Sequence, residues 1–329
     1  MSGTSTGIRL VDQDEDGVDV NFRADILAGL SQRHKATPAR WLYDEAGSRL
    51  FEDITQLPEY YPTRSETEIL QGNGADFARL IGRGRAVVEF GSGSSVKTPL
   101  LLSAIDPAAY VPLDISGEFL RAAAADLAAK FPGLPVHPVE ADFMKPVHLP
   151  EQVASLPKLG FFPGSTIGNM VPRTAVDLLR SMKETLGEGA HLLIGMDLIK
   201  DVAVLEAAYD DAAGVTAEFN RNLLRRINRE LGGTIPVDKI RHRARWNDTF
   251  ARIEMHLEAA EAITFEVSGE SFAMEAGETI HTENSHKFDS RSQNTLLLAG
   301  GWTPLERWLD SGGRFSVILA EATPQRDAP

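Results

Sequence analysis

The chain has 329 residues, 43% hydrophobic and 24% charged, which is enough for one large or two modest domains around a substantial core. Its 33 basic and 47 acidic residues give a net charge of -14, which argues against a nucleic-acid substrate. Cysteine is absent, which excludes disulfides, thiolate metal sites and cysteine nucleophiles; no apolar stretch reaches the roughly 18 residues of a membrane helix.

Taken in chain order, the acidic run at 12–16 reads as a solvated tail, and residues 21–30 as a short amphipathic helix. No charged start followed by an apolar core marks a signal peptide, and a cytoplasmic protein is expected. Three of the five tyrosines fall between positions 43 and 61. Pro58 and Pro62 bracket Tyr60 and Tyr61 and predict a non-helical turn there. Two readings stay open for this segment: a loop anchored on the core by aromatic rings, or a lid that brings phenol groups to a polar substrate. Ser65, with Glu68 three residues on, predicts a capping box and a helix running to about Ile81.

The run from Val87 to Lys97 is a strand, a glycine turn and a helix start. Val87 and Val88 belong to a strand covered on both faces. Gly91 and Gly93 allow a sharp turn and a close ligand approach, with Ser92 between them, and the helix is expected from about Ser95 to Ile105. The third glycine of a dinucleotide fingerprint is missing, because position 96 is Val. Glu89 at the strand's end would repel a pyrophosphate; it suits a ligand with a positive centre and no phosphate, such as S-adenosylmethionine.

A second strand, residues 110–114, ends in Asp114, 25 residues after Glu89, the spacing at which a carboxylate reaches ribose hydroxyls. Ser116 caps a helix over 117–130. A third strand over 136–139 leads to Asp142, which can accept from an adenine amino group, and to Phe143, which can flank the ring. Residues 159–169 form a fourth strand and a glycine-rich loop, Pro172 starts a helix to about Leu186, and 191–196 is a fifth strand. This alternation predicts a doubly wound α/β sheet with three acidic strand tips at one crevice.

Beyond it, 202–231 reads as one long helix carrying Tyr209 near its start and stopped by Gly232 and Gly233. Strands over 250–257, 262–267 and 279–282 suggest an antiparallel sheet. A helix near 292–299 and an apolar edge strand over 314–320 complete the first sheet. The expected organisation is therefore a ligand-binding domain of residues 65–201 and 288–329, and a smaller α+β cap of residues 10–64 and 202–287.

At this point the sequence resembles the ergothioneine-pathway L-histidine Nα-methyltransferases over nearly its whole length. The resemblance is carried by Trp41-Leu42-Tyr43-Asp44, by Phe51 with Leu57-Pro58-Glu59-Tyr60-Tyr61-Pro62-Thr63-Arg64, by the Glu89-to-Lys97 and Phe161-to-Asn169 runs, and by Thr282-Glu283-Asn284-Ser285. It implies a class I methyltransferase sheet with a split second domain, S-adenosylmethionine as cofactor, and methylation of the α-nitrogen of histidine, expected through to the trimethylated betaine hercynine. It implies that Glu89, Gly91, Ser92, Gly93, Lys97, Asp114, Asp142 and Phe143 bind the cofactor. Tyr60, Asn169 and Tyr209 would hold the substrate's amino and carboxylate ends in the catalytic position. Gly164, Met255, Glu283 and Ser285 would line the substrate pocket, with Tyr43 and Phe51 as its wall. Val96 and Asn284 depart from the family pattern without removing a proposed ligand. A monomer that binds neither nucleic acid nor membrane is expected.

Other readings have weaker support. His281, Glu283 and His286 fit no standard metal-ligand spacing, so no metal is expected. Met255, on pattern alone, is a core residue of an alternating strand. A methyltransferase for another free amino acid such as tryptophan, and a non-catalytic S-adenosylmethionine-binding module, remain the alternatives.

Overall fold

A computed structural model describes residues 17–93, 97–115 and 117–323. The acidic tail, the expected helix start at Ser95 and the Ser116 cap lie outside these residues. The chain divides into two compact units: Pro62–Lys200 with His286–Pro329, and Met1–Tyr61 with Asp201–Ser285.

The first unit is built on a seven-stranded sheet, with strands numbered along the whole chain. β1 (Ala86–Phe90), β2 (Ala109–Asp114), β3 (Val139–Glu140), β4 (Lys158–Phe162) and β5 (His191–Asp197) run parallel in the order β5-β4-β1-β2-β3. Outside β5 lies β12 (Phe315–Ala322), antiparallel to it, and then β11 (Trp302–Leu309), antiparallel to β12. The pleat sends Val88, Phe90, Ile194 and Ile318 to one face, where α7 (Pro172–Leu186) and α10 (Ser290–Ala299) cover them. Val87, Leu193 and Val317 go to the other face, against α3 (Tyr61–Gly72), α4 (Gly74–Ile81), α5 (Thr98–Ile105) and α6 (Gly117–Lys130). Because both faces are covered, the central strands read as unbroken apolar runs, and a one-residue slip would exchange the two layers.

Several expectations change here. Ser65 and Glu68 do not form a capping box, because α3 begins earlier, at Tyr61, with Pro62 in its first turn where a missing N–H costs nothing. The two side chains bind the Asp310–Ser311 turn instead: Ser65 Oγ donates to Asp310 (3.0 Å), and Ser311 N donates to Glu68 Oε1 (2.8 Å). The helix expected to reach Ile81 is divided at Asn73 into α3 and α4. The third strand is only two residues long, preceded by an isolated bridge between Tyr110 and Val136. The 315–322 strand is not an edge. β11 takes that place and was hidden because its outer position leaves Leu305, Glu306 and Leu309 exposed, while Pro304 shifts its register.

The second unit has its own core. α1 (Val20–Leu30) contributes Phe22, Ile26 and Leu30, and α2 (Glu45–Gln56) contributes Ile54. A three-stranded sheet in the order β10-β7-β6 is made of β10 (Thr279–His286), β7 (Arg252–Ala259) and β6 (Ile240–Asn247), with β6 and β7 antiparallel. β8 (Ile263–Val267) and β9 (Glu270–Met274) form an antiparallel hairpin. The long helix expected over 202–231 is interrupted. α8 (Val202–Ala207) ends before Tyr209, and α9 (Val215–Glu230) begins after Gly214, whose φ of 75° ends the turn. Asp211 caps α9 by accepting from Val215 N (3.0 Å) and Thr216 N (2.8 Å), a strong local alternative to continuous helix. β6 escaped the sequence reading because Arg241, Arg243 and Arg245 alternate outward along an edge strand.

Candidate active site

In the sheet-bearing unit the strand order reverses beside β1, the place where open α/β sheets hold ligands. The turn after β1 is shaped for a close backbone approach. Gly91 has φ 72° and Gly93 φ 43°. Gly91 N and Ser92 N both donate to Leu113 O, at 2.9 and 3.2 Å, which fastens the turn to the end of β2. A side chain on Gly91 would stand 3.5 Å from the Phe143 ring, so the bare glycine backbone and that ring border the same space. Phe143 is held edge-on by Phe90 and Phe162, with ring centres at 6.1 and 6.3 Å. Asp114, at the tip of β2, accepts from Gly93 N (3.3 Å), and Asp142 accepts from Met144 N (3.0 Å). Two carboxylates, a glycine backbone and an aromatic face suit an adenosyl group.

Glu89 sits deeper than the other two acids. It is 1% exposed, and Oε2 accepts from Tyr110 Oη (2.5 Å) and Thr98 Oγ1 (2.7 Å). Burial raises its carboxyl to about 7, against the pull of those hydroxyls and of Lys97. The acidic tips are therefore not equivalent: of the three, only Glu89 is buried.

A residue that sequence reasoning missed organises this end of the sheet. Glu66, on α3 and 1% exposed, accepts from Gly164 N at 2.8 and 3.1 Å and pairs with the Lys97 ammonium. It thereby joins the turn after β1 to the loop after β4, where Gly164 has φ 82°. Gly195 on β5 makes room for it, since a Cβ there would lie 2.0 Å from Glu66 Oε1. The capping-box pattern one residue earlier concealed this role. Asn169 closes the 3-10 turn Thr166–Asn169 in the same unit.

In the other unit the structure gathers most of the expected substrate residues. Tyr43, Phe51, Tyr60 and Tyr209 form a chain of edge-to-face rings: 5.7 Å from Tyr43 to Phe51, 6.2 Å from Phe51 to Tyr60 and 6.1 Å from Tyr60 to Tyr209. Phe219 on α9, which the sequence did not single out, joins them, 5.3 Å from Tyr43. Tyr43 Oη donates to Glu283 Oε1 (3.2 Å), and Tyr209 Oη meets Ser285 Oγ (2.7 Å). Glu283 and Ser285 are two residues apart on β10 and so share a face, at 7% and 4% exposure. Although Tyr43 as a whole is 38% exposed, desolvation of its phenol and then the Glu283 charge hold it above its ordinary pKa, so it stays a neutral donor. Met255 is 2% exposed within the core of this unit.

Glu254, His256 and His281 also bring possible ligand atoms within 4.8 Å of one another. Arg252 Nη2 already binds Glu254 (2.6 Å) and Arg245 Nε lies 3.4 Å from it, so a divalent ion would sit against two guanidinium groups. The two guanidinium groups already outweigh the single carboxylate, which disfavours a cation in this cluster.

The strand order and the glycine turn define a class I S-adenosylmethionine-dependent methyltransferase. The model of the family described as histidine-specific, SAM-dependent methyltransferases matches residues 22–322. A histidine N-alpha-methyltransferase of Mycolicibacterium smegmatis is 40% identical over 309 residues, 91% of this chain and 94% of its own. One from Mycobacterium tuberculosis is 40% identical over 312 residues, 93% and 96%. Among solved structures, a S-adenosylmethionine-dependent methyltransferase from Clostridium acetobutylicum aligns over 84% of this chain and 99% of its own, at 10% identity and a TM-score of 0.48. The chain belongs to the histidine-specific methyltransferase family.

Proposed function

We propose that the enzyme methylates the α-amino nitrogen of free L-histidine, with hercynine as the final product. The observation that carries this reading is Glu283, a carboxylate 7% exposed that receives the Tyr43 hydroxyl. Such an acceptor suits an imidazole N–H and is wasted on an apolar side chain, and a site that depends on a substrate donor discriminates strongly against analogues lacking it.

The remaining roles follow from chemistry. Bound in the Gly91 cradle, S-adenosylmethionine supplies an electrophilic methyl group on a sulfonium. Gly91, Ser92, Gly93, Lys97, Asp114, Asp142 and Phe143 are proposed to hold it, with Asp114 on ribose hydroxyls and Asp142 on the adenine amine. In-line displacement needs a neutral amine lone pair. Tyr60, Tyr209 and Asn169 are proposed to orient the amine and carboxylate by neutral hydrogen bonds that do not trap the amine as an ion pair. Gly164, Met255 and Ser285 are proposed as further substrate contacts. The Phe51, Tyr60 and Tyr209 rings would favour the quaternary ammonium that the third transfer produces. We propose a cytoplasmic monomer; among the described residues no helix is long and apolar enough to cross a membrane.

Incubation with the methyl donor and each standard amino acid, followed by mass spectrometry, is expected to add one, two and finally three methyl groups to histidine. Methylation of another amino acid alone, or of none, overturns the reading.

A pH dependence accompanies Glu89. Its raised carboxyl, at about 7, means that its contribution to stability is present below the ordinary carboxylate range and is lost as pH rises through about 7. Binding a sulfonium favours the ionised form, so cofactor affinity should weaken below pH 7, by up to about tenfold per unit. Calorimetric titrations of the native protein and Glu89→Gln over about pH 5.5–8, compared with each other, isolate this proton from those of the ligand. A difference that stays constant with pH refutes the role.

A further inference from the structure

The break between α8 and α9 places Tyr209 where a continuous helix was expected, and the structure shows what holds it there. Tyr209 O is 2.8 Å from His242 Nε2. His242 Nδ1 is 2.9 Å from Asn220 Nδ2, and the same Asn220 nitrogen is 3.2 Å from His256 O. Carbonyl oxygens only accept, which fixes every donor in the chain. Asn220 Nδ2 donates to His256 O and to His242 Nδ1, and His242 Nε2–H donates to Tyr209 O. The imidazole is thus a neutral strut with no rotatable bond between its two ends. A second proton would aim Nδ1–H at an amide NH₂, and burial independently lowers the pKa of this ring. Asp210 Oδ1, at 4.0 Å from Nε2, lies farther from that nitrogen than the carbonyl does. Four residues along the same strand, Trp246 N donates to Glu206 Oε1 (3.0 Å), which ties β6 to α8 on the other side of the break.

We propose that His242, braced by Asn220, is a positioning residue for the amino-acid substrate: it sets the carbonyl of Tyr209 and thereby keeps the Tyr209 hydroxyl on Ser285. The inference rests on the reading of Tyr209 as a substrate contact. It assigns β6 a part in substrate recognition, although His242 itself touches no substrate.

The test compares His242→Leu, His242→Gln and Tyr209→Phe in steady-state kinetics with both substrates varied. The leucine variant is expected to raise KM for histidine by about tenfold or more and to leave KM for S-adenosylmethionine within about twofold. Glutamine, which keeps a donor for Tyr209 O, should return the histidine KM to within about threefold of native. A purely structural role moves both KM values together and is not rescued by glutamine; either result overturns the proposal. An unchanged histidine KM in the leucine variant overturns it too. If that variant does not fold, Asn220→Ala removes the other end of the strut and is judged by the same split. Tyr209→Phe separates the two ideas. If it leaves the histidine KM unchanged, the reading of Tyr209 fails; if it raises KM while His242→Leu does not, only the role of His242 fails.

Discussion

Replacing Glu283 by alanine is expected to lower kcat/KM for histidine by about 10²- to 10³-fold, with cofactor affinity kept within about twofold. The carboxylate is 7% exposed, and its Oε1 is fixed by the Tyr43 hydroxyl at 3.2 Å. On the proposed binding mode its removal strands a buried imidazole N–H of the substrate, and a hydrogen bond to a charged group that is lost in a buried site costs about 1.5–3 kcal/mol, more where a donor is left unmet. Glu283→Gln keeps an acceptor oxygen without the charge and should lie between the two. The residues proposed to hold the cofactor belong to the other compact unit of the chain, which is why the two affinities should separate. Isothermal titration with histidine in the presence of S-adenosylhomocysteine, alongside titration with S-adenosylhomocysteine alone, checks the split. Equal loss of both affinities would remove Glu283 from the pocket.

The parts of the fold legible in the sequence are those where local pattern and tertiary demand agree. The β1 run, the α7 boundaries at Pro172 and Leu186, and the α6 boundaries at Gly117 and Lys130 follow from apolar periodicity and end signals. Pattern failed where a partner distant in the chain decided the outcome. Ser65 and Glu68 carry a correct local signature for a helix start, yet the Asp310–Ser311 turn, more than 240 residues away, takes both side chains. The α8–α9 interruption is set by Asp211 locally and by His242 from β6, a strand whose outward arginines gave no apolar alternation.

The candidate site shows the same division. Tyr43, Tyr60, Tyr209, Glu283 and Ser285 stood out as residue types or through the family resemblance, and the structure gathers their side chains in one unit through ring contacts and hydroxyl bonds. Phe219, Glu66, His242 and Asn220 did not stand out. Phe219, Glu66 and Asn220 lie on helices whose local pattern gave no reason to single them out, and His242 lies on β6, a strand the sequence did not reveal. Residues that support a site by holding another residue carry no local signal, because their reason for being there is a contact made in three dimensions.

Glu66 offers the largest expected effect on stability. Its carboxylate pairs with Lys97, only 16% exposed, and accepts Gly164 N. Glu66→Ala removes the acceptor from both and leaves a largely buried ammonium without its counter-charge. Breaking a buried pair from one side costs about 3–5 kcal/mol. At about 2–4 °C per kcal/mol for a unit of this size, the melting temperature should fall by about 6–20 °C. Cofactor affinity should fall with it, since Lys97 and the Gly91 turn lose their tie to the loop after β4. Gly195→Ala should reproduce the defect from the other side, because the added methyl would lie 2.0 Å from Glu66 Oε1 and expel the carboxylate. The double variant should then be little worse than either single one, as two routes to one broken contact are not additive. Calorimetric melting with and without S-adenosylhomocysteine measures all three. Additive losses, or a Glu66→Ala protein that melts within about 2 °C of native, would show that Glu66 does not join these loops.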